Sequence, residues 1–176
     1  MCELTSGYDK LCDRAGGIDT LYAFSTKDAN GTSNIDTLTV ADGAVTALTL
    51  VSGKYAYPFN VEMETATFTD TAIGERANNA YAREQSATVV LHGNTASMIV
   101  QIENLCKGRT TLIAKMNDGT YEVLFLYNGA KVSDERTPGT AYEDMNGNTL
   151  TFTGKETSKA PKISSAIVLA LLEVTS

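Results

Sequence analysis

The chain reads as a series of short segments in which apolar and polar residues alternate, separated by Asx-Gly and polar turns. That period of two is the pattern of half-buried β-strands. A first strand is expected over 18–25, "IDTLYAFS", followed by a turn at "ANGTSN". The run "IDTLTVADGAVTALTLVS" divides into two strands about Asp42-Gly43, a dipeptide suited to a tight hairpin. "GKYAYPFN" continues extended, with Pro58 marking a strand start or an edge because it has no N–H to give to a ladder.

The pattern then predicts two long strands, roughly 58–71 and 81–92, joined into a large hairpin by the polar loop "TAIGERANNA". Along the first, "NVEMETATFTD" sets Val61, Met63, Thr65, Thr67 and Thr69 on one side. Glu62, Glu64, Ala66, Phe68 and Asp70 fall on the other. Along the second, Glu84, Ser86, Thr88 and Val90 alternate with Arg83, Gln85, Ala87, Val89 and Leu91. Both strands are therefore expected to present a polar, acid-leaning face. The ordinary reading of Glu62 and Glu64 is the solvated side of an antiparallel sheet. The same smooth polar face also suits the wall of a wet channel. A one-residue slip would exchange Glu62 for Met63, and Phe68 interrupts the polar phase.

One stretch breaks the period. "NTASMIVQIENLCKG" offers Asn94 or Thr95 as an N-cap and places Met98, Ile99, Ile102, Leu105 and Cys106 on one helical face. Lys107 suits the last turn and Gly108 ends the helix. It is expected to be the only substantial helix. Beyond it, "RTTLIAKM" and "YEVLFLYNG" form a hairpin about Asp118-Gly119, and "AKVSDERTPGTAYEDMNG" reads as a polar loop. "NTLTFTGKE" alternates strictly, Leu150 and Phe152 against Thr149, Thr151 and Thr153. "KISSAIVLALLEV" is expected as a last strand, its apolar run being also compatible with a short helix.

The 176 residues and their 43% hydrophobic content fit one globular domain, 1–176, with residues 1–17 as an extended arm. The fold class expected is mainly β, an antiparallel sandwich or barrel with one flanking helix at about 95–107. A formal net charge of −7 disfavours nucleic-acid binding, which needs cations to displace phosphate counterions, but fits a conduit that must not adhere to it. Three cysteines, Cys2, Cys12 and Cys106, match no disulfide framework or zinc spacing; they read as reduced thiols, with Cys106 in the core and a Cys2–Cys12 pairing left open. The polar opening "MCELTSGYDK" does not resemble a secretory signal, and "AIVLALL" is too short to span a bilayer.

Catalytic chemistry is not expected. His92, the single histidine, stands at a strand end, and no nucleophile elbow, phosphate loop or dinucleotide fingerprint accompanies it. "DANGTSN" and "DMNGN" lack the downstream glutamate of a calcium loop and read as Asx-Gly turns. With 7% aromatics and no tryptophan, a sugar cleft around Glu62 and Glu64 is unattractive. No catalytic residue, cofactor or metal is assigned.

The order strand, helix, hairpin, loop and strand in "LHGNTASMIVQIENLCKGRTTLIAKMNDGTYEVLFLYNGAKV" and "GTAYEDMNGNTLTFTGKETSKAP" resembles that of phage tail tube proteins. The N-terminal "LCDRAGGIDTLYAF" resembles the starts of small virion proteins of Bacteroidetes-type phages. The resemblance implies a ring of six copies, rings stacked into a hollow tube, and long hairpins merged into a barrel around a lumen through which DNA slides. It implies lumen positions for Glu62, Glu64, Glu84, Ser86 and Thr88. It implies contacts between subunits or rings for Tyr57, Pro58, Ile73, Glu75, Arg76 and Asn78. The implied partners are further copies of the chain, neighbouring tail proteins such as sheath, baseplate or terminator, and passing DNA held without specificity. No membrane is implied, and the place would be a virion assembled in a bacterial cytoplasm. Two other readings stay open: another phage structural protein (tail terminator, collar, baseplate or head decoration) and a monomeric ligand-binding β-sandwich.

Overall fold

The computed structural model describes residues 16–172, apart from 29, 63, 76–79, 94 and 142. All but the last two residues of the expected N-terminal arm lie outside it, as do Cys2 and Cys12. The fold is mainly β. Eleven strands and two helices follow in the order β1 (Ile18–Lys27), β2 (Ile35–Ala41), β3 (Ala44–Leu50), β4 (Tyr57–Asn60), β5 (Ala66–Ile73), β6 (Ala82–His92), α1 (Ala96–Lys107), β7 (Arg109–Met116), β8 (Tyr121–Leu124), β9 (Lys131–Thr137), β10 (Gly147–Glu156), β11 (Lys162–Ile163) and α2 (Ser165–Leu171). One sheet has seven strands, ordered β2-β3-β11-β8-β7-β1-β4; the other has four, β5-β6-β10-β9.

Burial on both faces explains why the middle of the chain does not alternate. Ala23, Leu112 and Leu124 of the seven-stranded sheet pack with Val89, Leu150 and Phe152 of the four-stranded sheet. Their immediate neighbours Phe24, Ile113 and Val123 point the other way, into a second core with Val45, Leu48, Val168 and Leu171. A strand covered on both sides needs a continuous apolar run, as "TLIA" and "VL" supply. The hairpin at Asp42-Gly43 forms as expected, with φ of 50° and 75° at the two turn residues, the twist-matched geometry. Asp118 accepts from Thr120 N and Oγ1 at 2.9 and 2.6 Å in the β7–β8 turn.

α1 has Thr95 as its cap, accepting from Met98 N at 3.4 Å, and Gly108 closes it in extended rather than left-handed backbone. The helix packs on β9 and β7, with Ile102 entering the core between the sheets. Cys106 is half-buried rather than fully enclosed and donates to Asp134 at 3.5 Å. Burial raises its thiol pKa above the ordinary value.

Three expectations are corrected. The strand expected over 58–71 is two strands in different sheets: β4 pairs with β1, while β5 pairs with β6. The connection turns at 62–65, where Glu62 O accepts from Thr65 N at 3.2 Å and from Thr65 Oγ1 at 2.6 Å, and Glu64 takes φ 63°. The loop expected over 130–147 contains edge strand β9, whose polar sequence reflects exposure on most of its length. The C-terminal apolar run forms helix α2 after the short β11, so the chain has two helices among its described residues, not one.

The polar groups inside the sandwich organise its turns. Phe125 is fully buried with φ 59°, and its N–H donates to Gln85 Oε1 at 2.7 Å. Gly154 permits this arrangement: a Cβ there would sit 2.8 Å from the Phe125 ring. Buried Glu156 accepts from Asn128 N at 3.0 Å and Tyr127 N at 3.3 Å in the same turn. Asp70 ties three segments, accepting from Arg83 Nε at 2.7 Å and from Ala160 N at 3.0 Å where the chain crosses between the sheets.

Candidate functional site: a hydroxyl-bearing sheet face and its edge strands

Strand register assembles the outer face of the four-stranded sheet from residues far apart in sequence. Thr67, Thr88, Thr151 and Ser133 stand side by side across β5, β6, β10 and β9. The adjacent row is Thr69, Ser86, Thr153 and Lys131. Beyond it stand Thr71, Glu84 and Lys155, and on the other flank Val90, Thr149 and Glu135. At about 4.8 Å between strands and about 6.7 Å between alternate residues, these hydroxyls make a regular, shallow lattice. Its two central rows carry a single charge. The inward positions explain the rest of the alternation: Phe68, Ala87, Phe152 and Val132 form the row beneath, towards the core.

Of the residues predicted to share this face, Glu84, Ser86 and Thr88 do. Glu62 and Glu64 do not: they lie in the β4–β5 turn at the end of the sandwich, both exposed. The strand phase also reverses across that turn, so that Thr67, Thr69 and Thr71 accompany Glu84, Ser86 and Thr88, and Phe68 faces inward. The missed members, Thr149, Thr151, Thr153 and Ser133, come from β10 and β9. Their signal was the repeated Thr-x-Thr of "TATFTDT" and "NTLTFT", but only the pairing shows that the two runs share a face.

Neither β5 nor β9 has a further strand beside it in this sheet among the described residues; β5 is the open edge, whereas α1 packs on β9 and Ala130, just before β9, is bridged to Thr110 of β7. Because neighbouring strands alternate in direction, β5 and β9 run oppositely. A β5 edge meeting the β9 edge of another copy therefore continues the antiparallel pattern. Among the residues predicted for subunit contacts, Ile73 ends β5, and exposed Glu75 follows it. Tyr57 and Pro58 are exposed on β4, an edge of the seven-stranded sheet. Arg76 and Asn78 lie outside the described residues.

Beside β4, an open groove of about 720 Å³ runs between α1 and the 53–60 segment, lined by Tyr55, Tyr57, Phe59, Met98 and Leu105 among others. His92 is exposed at the end of β6. No group of metal-ligating side chains occurs among the described residues, and no helix there is long and apolar enough to cross a membrane. No family model matches the chain, and neither does any curated protein or solved structure.

Proposed function

We propose that this chain is a virion structural protein of the tail-tube kind. Its four-stranded sheets join edge to edge in a ring, of six copies by the resemblance, and stacked rings make a hollow conduit for DNA. The supporting observation is the pairing of a hydroxyl-bearing sheet face with two oppositely directed edge strands, β5 open and β9 flanked by α1. Four strands from each of six copies make a barrel of about 24 strands, and barrel diameter grows roughly in proportion to strand number. Closure would also cover the edges that a separate monomer exposes to mispairing. The proposed lining is mostly neutral rather than acidic. Threonine and serine hold water and carry no charge to displace phosphate counterions, and Glu84 stands opposite Lys155 at the margin. With Lys131 the one cation of the two central rows, DNA then passes with little of the counterion release that drives adhesion.

Negative-stain electron microscopy across a concentration series tests this directly. Hollow rings or tubes of uniform width are expected; isolated compact particles at every concentration would count against it. The aromatic groove favours a second reading, a monomeric ligand-binding sandwich. That reading predicts compact particles together with saturable binding of an apolar ligand at Tyr55 and Tyr57.

A further inference from the structure

The two ends of the sandwich carry opposite charge. β1 finishes, α1 ends and β7 begins at one end, where Lys27, Lys107, Arg109 and Lys155 line an open recess of about 720 Å³ with Asp28 and Asn128. Some of this charge is offset: Lys107 is bonded to Glu103 at 3.0 Å, and Lys155 stands opposite Glu84. Lys27 also lies in the field of the buried Glu156 carboxylate, and the recess takes its sign from four cations in the lining against one carboxylate, Asp28. Such a concentration of cations is notable in a chain of net charge −7.

The opposite end is where β1 begins, β4 turns into β5, and the loop before β10 closes. Glu62, Glu64, Glu143 and Asp144 are all exposed there. Asp144 is fixed by its own loop, accepting from Thr140 N and Ala141 N, each at 2.8 Å. At this end Lys115 is paired with Asp19, while Arg136 donates to the neutral Asn146 amide at 2.9 Å and keeps its charge, outnumbered by the four carboxylates.

We infer that these ends recognise each other, the acidic end of one copy seating over the cationic recess of a second copy, head to tail along the strands. The inference rests on the tube reading and supplies its contact between successive rings. Two like ends brought together repel, so the charge distribution admits one stacking polarity. A contact between different surfaces that does not close on itself propagates as a filament. The overall negative charge opposes random approach. Opposite signs come within a Debye length, about 8–10 Å at moderate salt, only in the head-to-tail arrangement. Glu62 and Glu64 thereby gain a role at the ring surface that their placement in a turn permits.

The test uses the full-length protein and sedimentation velocity, with microscopy to separate rings from stacks. Raising salt from about 0.05 M to about 0.5 M is expected to weaken stacking at least about tenfold while leaving rings intact. Lys27→Glu with Arg109→Glu, and separately Glu62→Lys with Glu64→Lys, should each give rings that do not stack. Mixing the two variants should restore stacks, because each then meets an opposite charge; that restoration also shows that both variants fold. Rings that stack regardless of salt and of these substitutions would overturn the inference and leave the ring reading standing. Loss of stacking in the Lys27/Arg109 variant alone, with the Glu62/Glu64 variant unaffected, would assign the recess to another anion and overturn it. A wild-type protein that stays monomeric at low salt would overturn both.

Discussion

Thr88 of β6 and Thr151 of β10 stand directly opposite each other at the centre of the exposed sheet face, with Thr67 and Ser133 completing their row. If this face lines a conduit, its neutrality matters more than any one hydroxyl. Replacing both Thr88 and Thr151 by lysine should leave the fold and the rings intact, since both side chains point away from the core. Each copy then adds two cations to the lining. DNA passage should slow markedly and recover at high salt, as expected for phosphate binding. Ejection rates from particles carrying the variant, measured against salt, check this.

Gln85 holds Phe125 by a buried hydrogen bond across the sandwich. Gln85→Leu keeps the volume roughly constant but leaves the Phe125 N–H without its acceptor. The expected loss is about 1–3 kcal/mol of folding stability, read from denaturant unfolding. Gly154→Ala should also destabilise, because the new methyl would meet the Phe125 ring.

Glu156 makes stability depend on pH in an unusual direction for a carboxylate. Its desolvation in the interior raises its pKa above the ordinary glutamate value, and the backbone donors of the 127–129 turn only partly counter this. The folded state therefore binds the proton more tightly than the unfolded chain. The stabilisation from this group is full below the unfolded pKa and is lost as pH rises through the folded one. Glu156→Gln should lower stability somewhat but remove this component. Thermal midpoints of the two proteins measured just above the ordinary carboxylate range should show a flatter profile for the variant.

Glu64 occupies a left-handed backbone position in the 62–65 turn, which costs a non-glycine residue on the order of 1 kcal/mol. Glu64→Gly should relieve that strain, partly offset by the greater freedom of the unfolded chain. Stability should stay equal or rise slightly while salt-sensitive stacking weakens. Opposite movement of the two quantities, read by thermal unfolding and sedimentation, would mark Glu64 as retained for contact rather than for folding.

The fold was legible where one local force dominates. The Asp42-Gly43 and Asp118-Gly119 hairpins, β1, β6, and the helix behind Thr95 all follow from turn chemistry, alternation or helical spacing. What was missed depends on long-range partners. "NVEMETATFTD" alternates through a point where the chain leaves one sheet for the other; the turn at Glu64 carries no glycine or asparagine to announce it. β9 is polar because it is an edge strand, so its sequence resembles a loop. "SAIVLAL" is helical because α2 packs on one face of the seven-stranded sheet, a placement its apolar run does not encode. The hydroxyl lattice was half legible: its Thr-x-Thr runs are plain, but their alignment with one another is set by pairing.

The central claim is that β5 of one copy lies against β9 of the next. Thr67 and Ser133 stand in one row of the outer face at these two edges, so Thr67→Cys and Ser133→Cys in a background with Cys2, Cys12 and Cys106 replaced by serine place thiols on both sides of the proposed joint. Neighbouring strands hold facing Cβ atoms about 5 Å apart, within reach of a short bifunctional thiol reagent. The account predicts a ladder of covalent oligomers that stops at one closed ring size, with each single-cysteine protein giving none. Monomer alone from the double variant, under conditions where the wild-type protein assembles, would contradict it.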